Sequence, residues 1–182
     1  MIKTCIRSII RASTAGSIGG AIRRLVYTLD GVDDYIQLPS ISLGVGDTVE
    51  FDLVTGPGTG LNRTLLGSSP SYLQISDGGL WNVFGFTFTV DGIPKVTNDL
   101  APQDGFVHKI VATSTGSQTL AYIGCLDGAS LFSSDSIRNL KVGSSHFYPI
   151  NDGWVHNPVI RDTLGGQHGT AVNFLEVNWI DD

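Results

Sequence analysis

The sequence predicts an all-β chain, an antiparallel sandwich or barrel, and three observations carry that prediction. Apolar and polar residues alternate with a period of two through several short runs, six Asp-Gly pairs punctuate those runs, and 23 glycines accompany few alanine-rich or charge-rich stretches. Alternation sets one face of a strand against a core and the other in water. Asp-Gly reaches the positive φ values of tight hairpin turns at little cost. The length of 182 residues and the 41% hydrophobic content suit one domain with an ordinary core, plus an appended arm.

Residues 1–24 form the first compositional block. Ile2, Ile6, Ile9 and Ile10 fall at i, i+4, i+7 and i+8, with Lys3, Arg7 and Arg11 between them, the outline of a short amphipathic helix. A run of about ten residues does not hold a helix alone in water. The segment therefore reads as an assembly arm that forms on a partner surface, with Ile2, Ile6, Arg7, Ile9, Ile10 and Arg11 as its contact residues and STAGSIGG as a flexible link. A disordered terminus is the competing reading.

From Leu25 the period changes to two. Tyr27–Pro39, YTLDGVDDYIQLP, reads as strand, tight turn and strand, the second over Asp34 to Leu38. TVEFDLV places Val49, Phe51 and Leu53 on one face and Thr48, Glu50 and Asp52 on the other. Tyr72 to Ser76 is the next strand. GFTFTV then repeats the device, with Phe86, Phe88 and Val90 inward and Thr87 and Thr89 outward. Phe106 to Thr113 is apolar on both parities in FVHKIVAT and reads as a central strand covered on two sides. Thr119 to Gly124 and Ser136 to Val142 complete the set. The Asp-Gly turns begin at Asp30, Asp77, Asp91, Asp104, Asp127 and Asp152.

The net charge of −6 hides an asymmetry. Lys3, Arg7, Arg11, Arg23 and Arg24 lie in the leader, while all seventeen acids lie from Asp30 onward. Residues 25–182 thus carry six positive groups against seventeen negative ones, a balance of −11. Such a body repels nucleic acid, although the leader could touch phosphate or an acidic protein surface. Cys5 and Cys125 have no metal-type spacing, so neither a disulfide framework nor a zinc site is expected, and synthesis in a reducing compartment fits. Arg7 and Arg11 interrupt the leader's apolar run, which argues against a secretory signal. No stretch is apolar for long enough to span a bilayer as a helix.

The phrases LDGVDDYIQLP, TVEFDLV, FTVDGIPK and YIGCLDGASLFSSDSIRNLKV occur in an order that resembles the laminin-G-like, concanavalin-A-like jelly-roll family of bacterial and phage proteins, over residues 25–143. The resemblance implies an antiparallel jelly-roll β-sandwich in which Tyr35 lies near the core and IRNLKV is a returning strand that closes a sheet. A second phrase, YPINDGW followed by VIRDTLGGQHGTAVNFLEVNW, is similar to the one that commonly opens such domains, but here it follows the body. The expectation is that residues 25–182 form the jelly roll, with 144–182 supplying a permuted strand pair and 1–24 left as an arm. The same resemblance implies a non-enzymatic structural protein of a tailed bacteriophage, a head decoration or a tail or fibre component. Its implied partners are other virion proteins and further copies of itself, and its implied address is the virion after synthesis in the host bacterial cytoplasm. The alternative is a lectin-like module that binds host surface glycans, because this scaffold hosts both roles.

Candidate chemistry is sparse, and neither catalytic residues nor a cofactor are expected. Glycosidases need two carboxylates facing one sugar, about 5 Å apart in retaining enzymes. Glu50 and Asp52 alternate suitably, but Val54 stands where a third acid of an E-x-D-x-E pattern would lie. Asp30, Asp33 and Asp34 cluster in a turn, yet the spacing and terminal Glu of an EF-hand loop are missing, so a backbone-bonding Asp-Gly turn is the simpler reading and no metal is expected. His108, His146, His156 and His168 are scattered, with His108 reading as a satisfied core residue. The glycines of GPGTG, Gly56 to Gly60, lack the Lys-Ser/Thr sequel of a phosphate loop and read as a mobile connection. Trp81 reads as core. Trp154, between an Asp-Gly turn and Asn157-Pro158, is the candidate platform for a glycan or a neighbouring subunit.

Overall fold

Backbone polar groups of a strand must be paired, and the alternation in the sequence supplies the pairing surfaces. In a computed structural model that describes residues 25–27, 29, 33–55, 62–68, 70–128, 130, 131, 133, 135–150, 159–172 and 179–181, the chain forms strands and no helix among those residues. The strands are β1 (Leu25–Tyr27), β2 (Tyr35–Leu43), β3 (Thr48–Val54), β4 (Arg63–Ser68), β5 (Ser71–Ile75), β6 (Trp81–Phe84), β7 (Phe86–Val90), β8 (Ile93–Lys95), β9 (Val107–Ser114), β10 (Gln118–Ile123), β11 (Ser136–Val142), β12 (His146–Tyr148), β13 (Val159–Ile160), β14 (Gly169–Val172) and β15 (Trp179–Asp181). A seven-stranded sheet runs β13-β14-β2-β10-β4-β5-β6 and a six-stranded sheet runs β12-β11-β3-β9-β7-β8, while β1 pairs with β15. Every pairing is antiparallel.

The two larger sheets stack as a β-sandwich. Val49, Phe51 and Leu53 of β3 are fully buried, as their alternation requires, and meet a core that includes Ile36, Leu38, Leu73, Ile75, Leu120 and Ile123 from the facing sheet. Trp81 of β6 and Phe88 of β7 join the layers edge to face, with ring centroids 5.0 Å apart, a geometry aromatic pairs favour. Six-stranded and seven-stranded layers built from short strands need local corrections to keep their inward parity. In β2 the buried positions run Ile36, Leu38, then Ile41, Leu43, because Pro39 offers no N–H to the ladder and the register with β10 shifts there. In β11 an extra residue between Arg138 and Lys141 bulges out, with Asn139 at φ 51°, so that Ile137 and Leu140 both point inward.

The central strand β9 differs from its expectation. It lies between β3 and β7 as read, with Ile110 and Ala112 buried, but its outer face is only partly covered and Val107 is exposed. The double-sided apolar character marks a surface rather than a second core. Full coverage belongs instead to β4, where residues Arg63 to Gly67 are all buried. The loop after β10 packs on its outer side so closely that a Cβ on Gly67 would lie 2.0 Å from the Cys125 carbonyl oxygen. The C-terminal residues 146–148 and 159–172 are built into the sandwich, through β12 on one sheet and β13–β14 on the other.

Phe51→Ala should cost about 3–5 kcal/mol of unfolding free energy, as large-to-small changes in close-packed cores do. Urea denaturation followed by tryptophan fluorescence checks this, and a loss under 1 kcal/mol, roughly a surface value, would show that the two layers do not meet at Phe51.

Candidate functional site

The segment VIRDTLGGQHGT makes a hairpin whose loop folds around one carboxylate. Between β13 and β14, Asp162 is buried, and its Oδ1 accepts the backbone N–H groups of Phe147 (3.0 Å), Leu164 (3.1 Å) and Gly165 (2.9 Å). Its Oδ2 accepts His146 Nδ1–H (2.6 Å) and the N–H of Gln167 (3.2 Å). The local sequence allows this because Gly166 takes φ 69° and Gly165 comes so near that a Cβ would sit 2.4 Å from His146 Nδ1. Burial alone would raise the Asp162 carboxyl, but His146 and the converging N–H groups outweigh it and hold the carboxyl well below the usual carboxylate range. With five donors in place Asp162 is an organiser, not a base.

Above this carboxylate lies an open cleft of about 510 Å³ lined by Val159, Arg161, Asp162, Thr163 and His168. The Asp162 N–H donates to His168 Nδ1 at 3.2 Å, so the ring proton resides on Nε2. Thr163 is pinned twice to the Phe147 carbonyl, by its N–H at 2.8 Å and its Oγ1–H at 3.2 Å. Tyr148 donates its hydroxyl to Gln167 O at 2.7 Å, and burial pushes that phenol up. Arg161, His168 and Thr163 thus place a guanidinium, an imidazole and a hydroxyl among the residues that line the cleft.

The sequence candidates distribute elsewhere. Glu50 and Asp52 lie on the outer face of the six-stranded sheet among cations. Lys109 Nζ stands 3.8 Å from Glu50 and 3.5 Å from Asp52, Lys141 Nζ is 3.4 Å from Glu50, and Asn139 Nδ2–H donates to Asp52 at 2.6 Å. This is the pairing of a solvated strand face, and each pair contributes little on its own. Asp34 is buried and Asp33 exposed, and among the described residues no group of three or more His, Cys, Asp or Glu could hold a metal ion. Cys125 is buried, and burial pushes its thiol up to about 12, which makes it inert at neutral pH. The arm residues Ile2, Ile6, Arg7, Ile9, Ile10 and Arg11, the GPGTG segment, Asp30, His156 and Trp154 lie outside the described residues. Trp81 is fully buried.

His108 is not the core residue its strand suggested. It has the inward parity of β9 but sits at the mouth of the sandwich, where Nδ1 meets Asp91 Oδ2 at 2.7 Å and Nε2 meets Asp104 Oδ1 at 3.0 Å. Asp91 also accepts the Lys109 N–H, and Asp104 the Phe106 N–H. Burial pulls the imidazole down, but the two carboxylates together outweigh it and leave it raised. Both aspartates are lowered, chiefly through their hydrogen bonds to His108 and to backbone N–H groups. A second pair that spacing did not reveal is buried under the loop after β10: Arg63 Nη1 bonds Asp135 at 2.6 Å, and Ser133 holds the other carboxylate oxygen. No family model, curated protein or solved structure matches this chain.

Asp162→Ala should destabilise the protein by about 2–3 kcal/mol, since bonds to a charged acceptor are lost and donors are stranded, and should raise amide exchange across residues 163–168. The His108 clamp sets a pH profile. A raised imidazole contributes its stability fully below its ordinary value of 6.5 and loses it as pH climbs past the folded value. The lowered Asp91 and Asp104 contribute above 3.8 and lose theirs as pH falls through the folded values. The difference in Tm between the wild type and His108→Gln should therefore be largest between about pH 4 and 6.5 and shrink towards pH 8.5. A difference that does not vary with pH would show that the ring is held by packing alone.

Proposed function

We propose that this chain is a non-enzymatic structural protein of a tailed-bacteriophage particle, a jelly-roll head decoration or tail or fibre component that docks on neighbouring virion proteins and on copies of itself through its leader or a body face. One observation carries the body-face reading. On β8, on the segment behind it and at the start of β9, Ile93, Val96, Leu100, Phe106 and Val107 are each more than half exposed, Leu100 and Phe106 at 71%. Scattered apolar side chains need no explanation, but several large ones within residues 93–107 of a tightly cored sandwich fit a surface covered by a partner. The resemblance of residues 25–143 to phage jelly rolls and the confinement of five basic residues to the leader support the same reading. In it, residues 144–182 act as the permuted strand pair.

The carboxylates support a non-catalytic role by their engagements: Glu50 and Asp52 with lysines, Asp91 and Asp104 with His108, Asp162 with five donors. A second reading, a lectin-like module for host surface glycans, is favoured by the cleft at Arg161 and His168, which displays polar groups on a fixed loop. The two roles coexist on one subunit, as an attached face and a displayed one.

Phe106→Glu with Leu100→Glu should leave the melting temperature of the isolated chain nearly unchanged and reduce its incorporation into particles at least about tenfold, the scale of a lost interface anchor. Deletion of residues 1–24 tests the leader in the same assay. Wild-type incorporation of both variants would overturn the assembly reading.

A further inference from the structure

We propose that docking through the apolar rim is gated by proton uptake at His108, whose ring locks the two turns beside that rim only while both of its nitrogens carry hydrogen. This deepens the body-face reading and rests on it. The geometry sets the requirement. Nδ1 stands 2.7 Å from Asp91 Oδ2, and Nε2 stands 3.0 Å and 3.3 Å from Asp104 Oδ1 and Oδ2. Ionised carboxylates only accept hydrogen bonds, and a neutral imidazole has one N–H and one lone pair. Two such partners are served together by the imidazolium alone. On loss of the proton one nitrogen presents a lone pair to a carboxylate. The shorter contact to Asp91 keeps the remaining hydrogen on Nδ1, and Asp104, with its side chain 46% exposed, is the partner released to water.

The rim is built around these same residues. Ile93 follows Asp91 by two positions, Phe106 follows Asp104 by two, and Val107 precedes His108, so most of its exposed side chains are neighbours of the clamp. Asp104 Oδ1 also accepts the Phe106 N–H at 3.0 Å, and Asp91 Oδ1 accepts the Lys109 N–H at 2.8 Å. Thr55 ties the loop before β9 to the sheet, its carbonyl accepting the Gly105 N–H at 3.1 Å and its hydroxyl donating to the Pro102 carbonyl. The other nearby charges are engaged away from the ring. Lys109 reaches Glu50 and Asp52 on the outer face, Leu53 is the residue opposite His108 in the ladder, Lys95 lies opposite Phe88, and Asp99 accepts the Val96 N–H. Burial alone would lower the imidazole, but Asp91 and Asp104 outweigh it and leave it raised. The clamp is therefore whole below the ordinary imidazole value of 6.5 and opens as pH climbs past the folded value. A partner then meets a Phe106 loop that has still to be ordered, which weakens binding.

Incorporation of the full-length chain into particles, compared at about pH 6 and about pH 8.5, tests this. The wild type should fall about tenfold at the higher pH, the worth of one charged hydrogen bond. His108→Gln offers one donor and one acceptor, as a neutral ring does, and should be as low at both values as the wild type is at the higher one. Asp104→Asn should flatten the profile to within about twofold, because its amide N–H serves the lone pair of neutral Nε2 while its carbonyl keeps the Phe106 N–H. Exchange protection of the Phe106 amide in the isolated chain should drop with pH in the wild type and hold in Asp104→Asn, which separates the ring from any titrating group of the partner. Equal wild-type incorporation at the two pH values, Phe106 protection that does not vary, or an Asp104→Asn variant that falls as the wild type does would overturn the gate. If Phe106→Glu with Leu100→Glu still fails to incorporate in that case, the docking face itself stands. Normal incorporation of that double variant at the lower pH removes the face and the gate with it.

Discussion

An open sandwich leaves four strand edges, and each edge carries backbone donors and acceptors that invite pairing with another chain. Much of this structure follows from how those edges are closed. The edge strand β12 is covered by the loop after β13: Phe147 donates to Asp162, and the Phe147 carbonyl accepts from Thr163. The loop belongs to the opposite sheet, so one carboxylate both caps an edge and ties the layers. On the other flank, β6 is covered by the segment that follows β8. Trp81 N–H bonds Asp99 O, Asn98 N–H bonds Trp81 O, and Ala101 N–H bonds Gly79 O. The remaining edges are short: β8 has three residues with Pro94 in the middle, and β13 has two.

Closing the edges this way leaves the sandwich free to spend polar groups at its mouth. His108 has the parity of a core residue and lies directly opposite Leu53 in the ladder. Two residues further into β9 Ile110 is fully buried, whereas His108 still reaches Asp91 in the β7–β8 turn and Asp104 in the loop before β9. The clamp gathers two Asp-Gly turns onto one ring, and those turns frame the exposed Ile93 and Phe106. The same carboxylates accept the backbone N–H groups of Phe106 and Lys109, and the apolar side chains beside them face solvent.

The sequence was most legible where one face of a strand is wet. β3 and β7 follow from alternation within a residue or two, because burial on one side imposes the period directly, whereas the spans of β10 and β11 are legible within a residue although their buried positions do not alternate strictly. β2 was read only to Leu38, since Pro39 interrupts the alternation and the strand recovers its parity two residues later through a bulge. β4 was missed because both of its faces are covered and Arg63 and Thr64 look like loop residues; their burial depends on Asp135, seventy-two positions away, and on the loop after β10. The same distance hid the site. Asp162 and His168 fall within one phrase and His146 outside it, but the donors that define Asp162 come from two sheets, and no local pattern records which backbone N–H groups will converge. His108 reads as a core residue from its strand but lies near the strand's end, and a run apolar on both parities records neither face nor depth.

The strand orders also decide where the proposed roles can coexist. In the six-stranded sheet β12 and β8 are opposite edges, and in the seven-stranded sheet β13 and β6 are opposite edges. The Asp162 loop joins the β12 and β13 side, while the Trp81–Phe88 contact and the Leu80–Leu100 bridge join the β6 and β8 side. The cleft and the part of the apolar rim over residues 93–100 therefore lie on opposite flanks, five strand spacings apart in the six-stranded sheet, on the order of 25 Å at about 4.8 Å each, while Phe106 and Val107 at the start of β9 stand three spacings from β12, roughly 14 Å. A partner that covers Phe106 and Leu100 has no reason to touch Arg161 or His168. Attachment through one flank leaves the other facing outward, so the edge closures that keep this chain from pairing indiscriminately also separate the surface that can be held from the surface that can be shown.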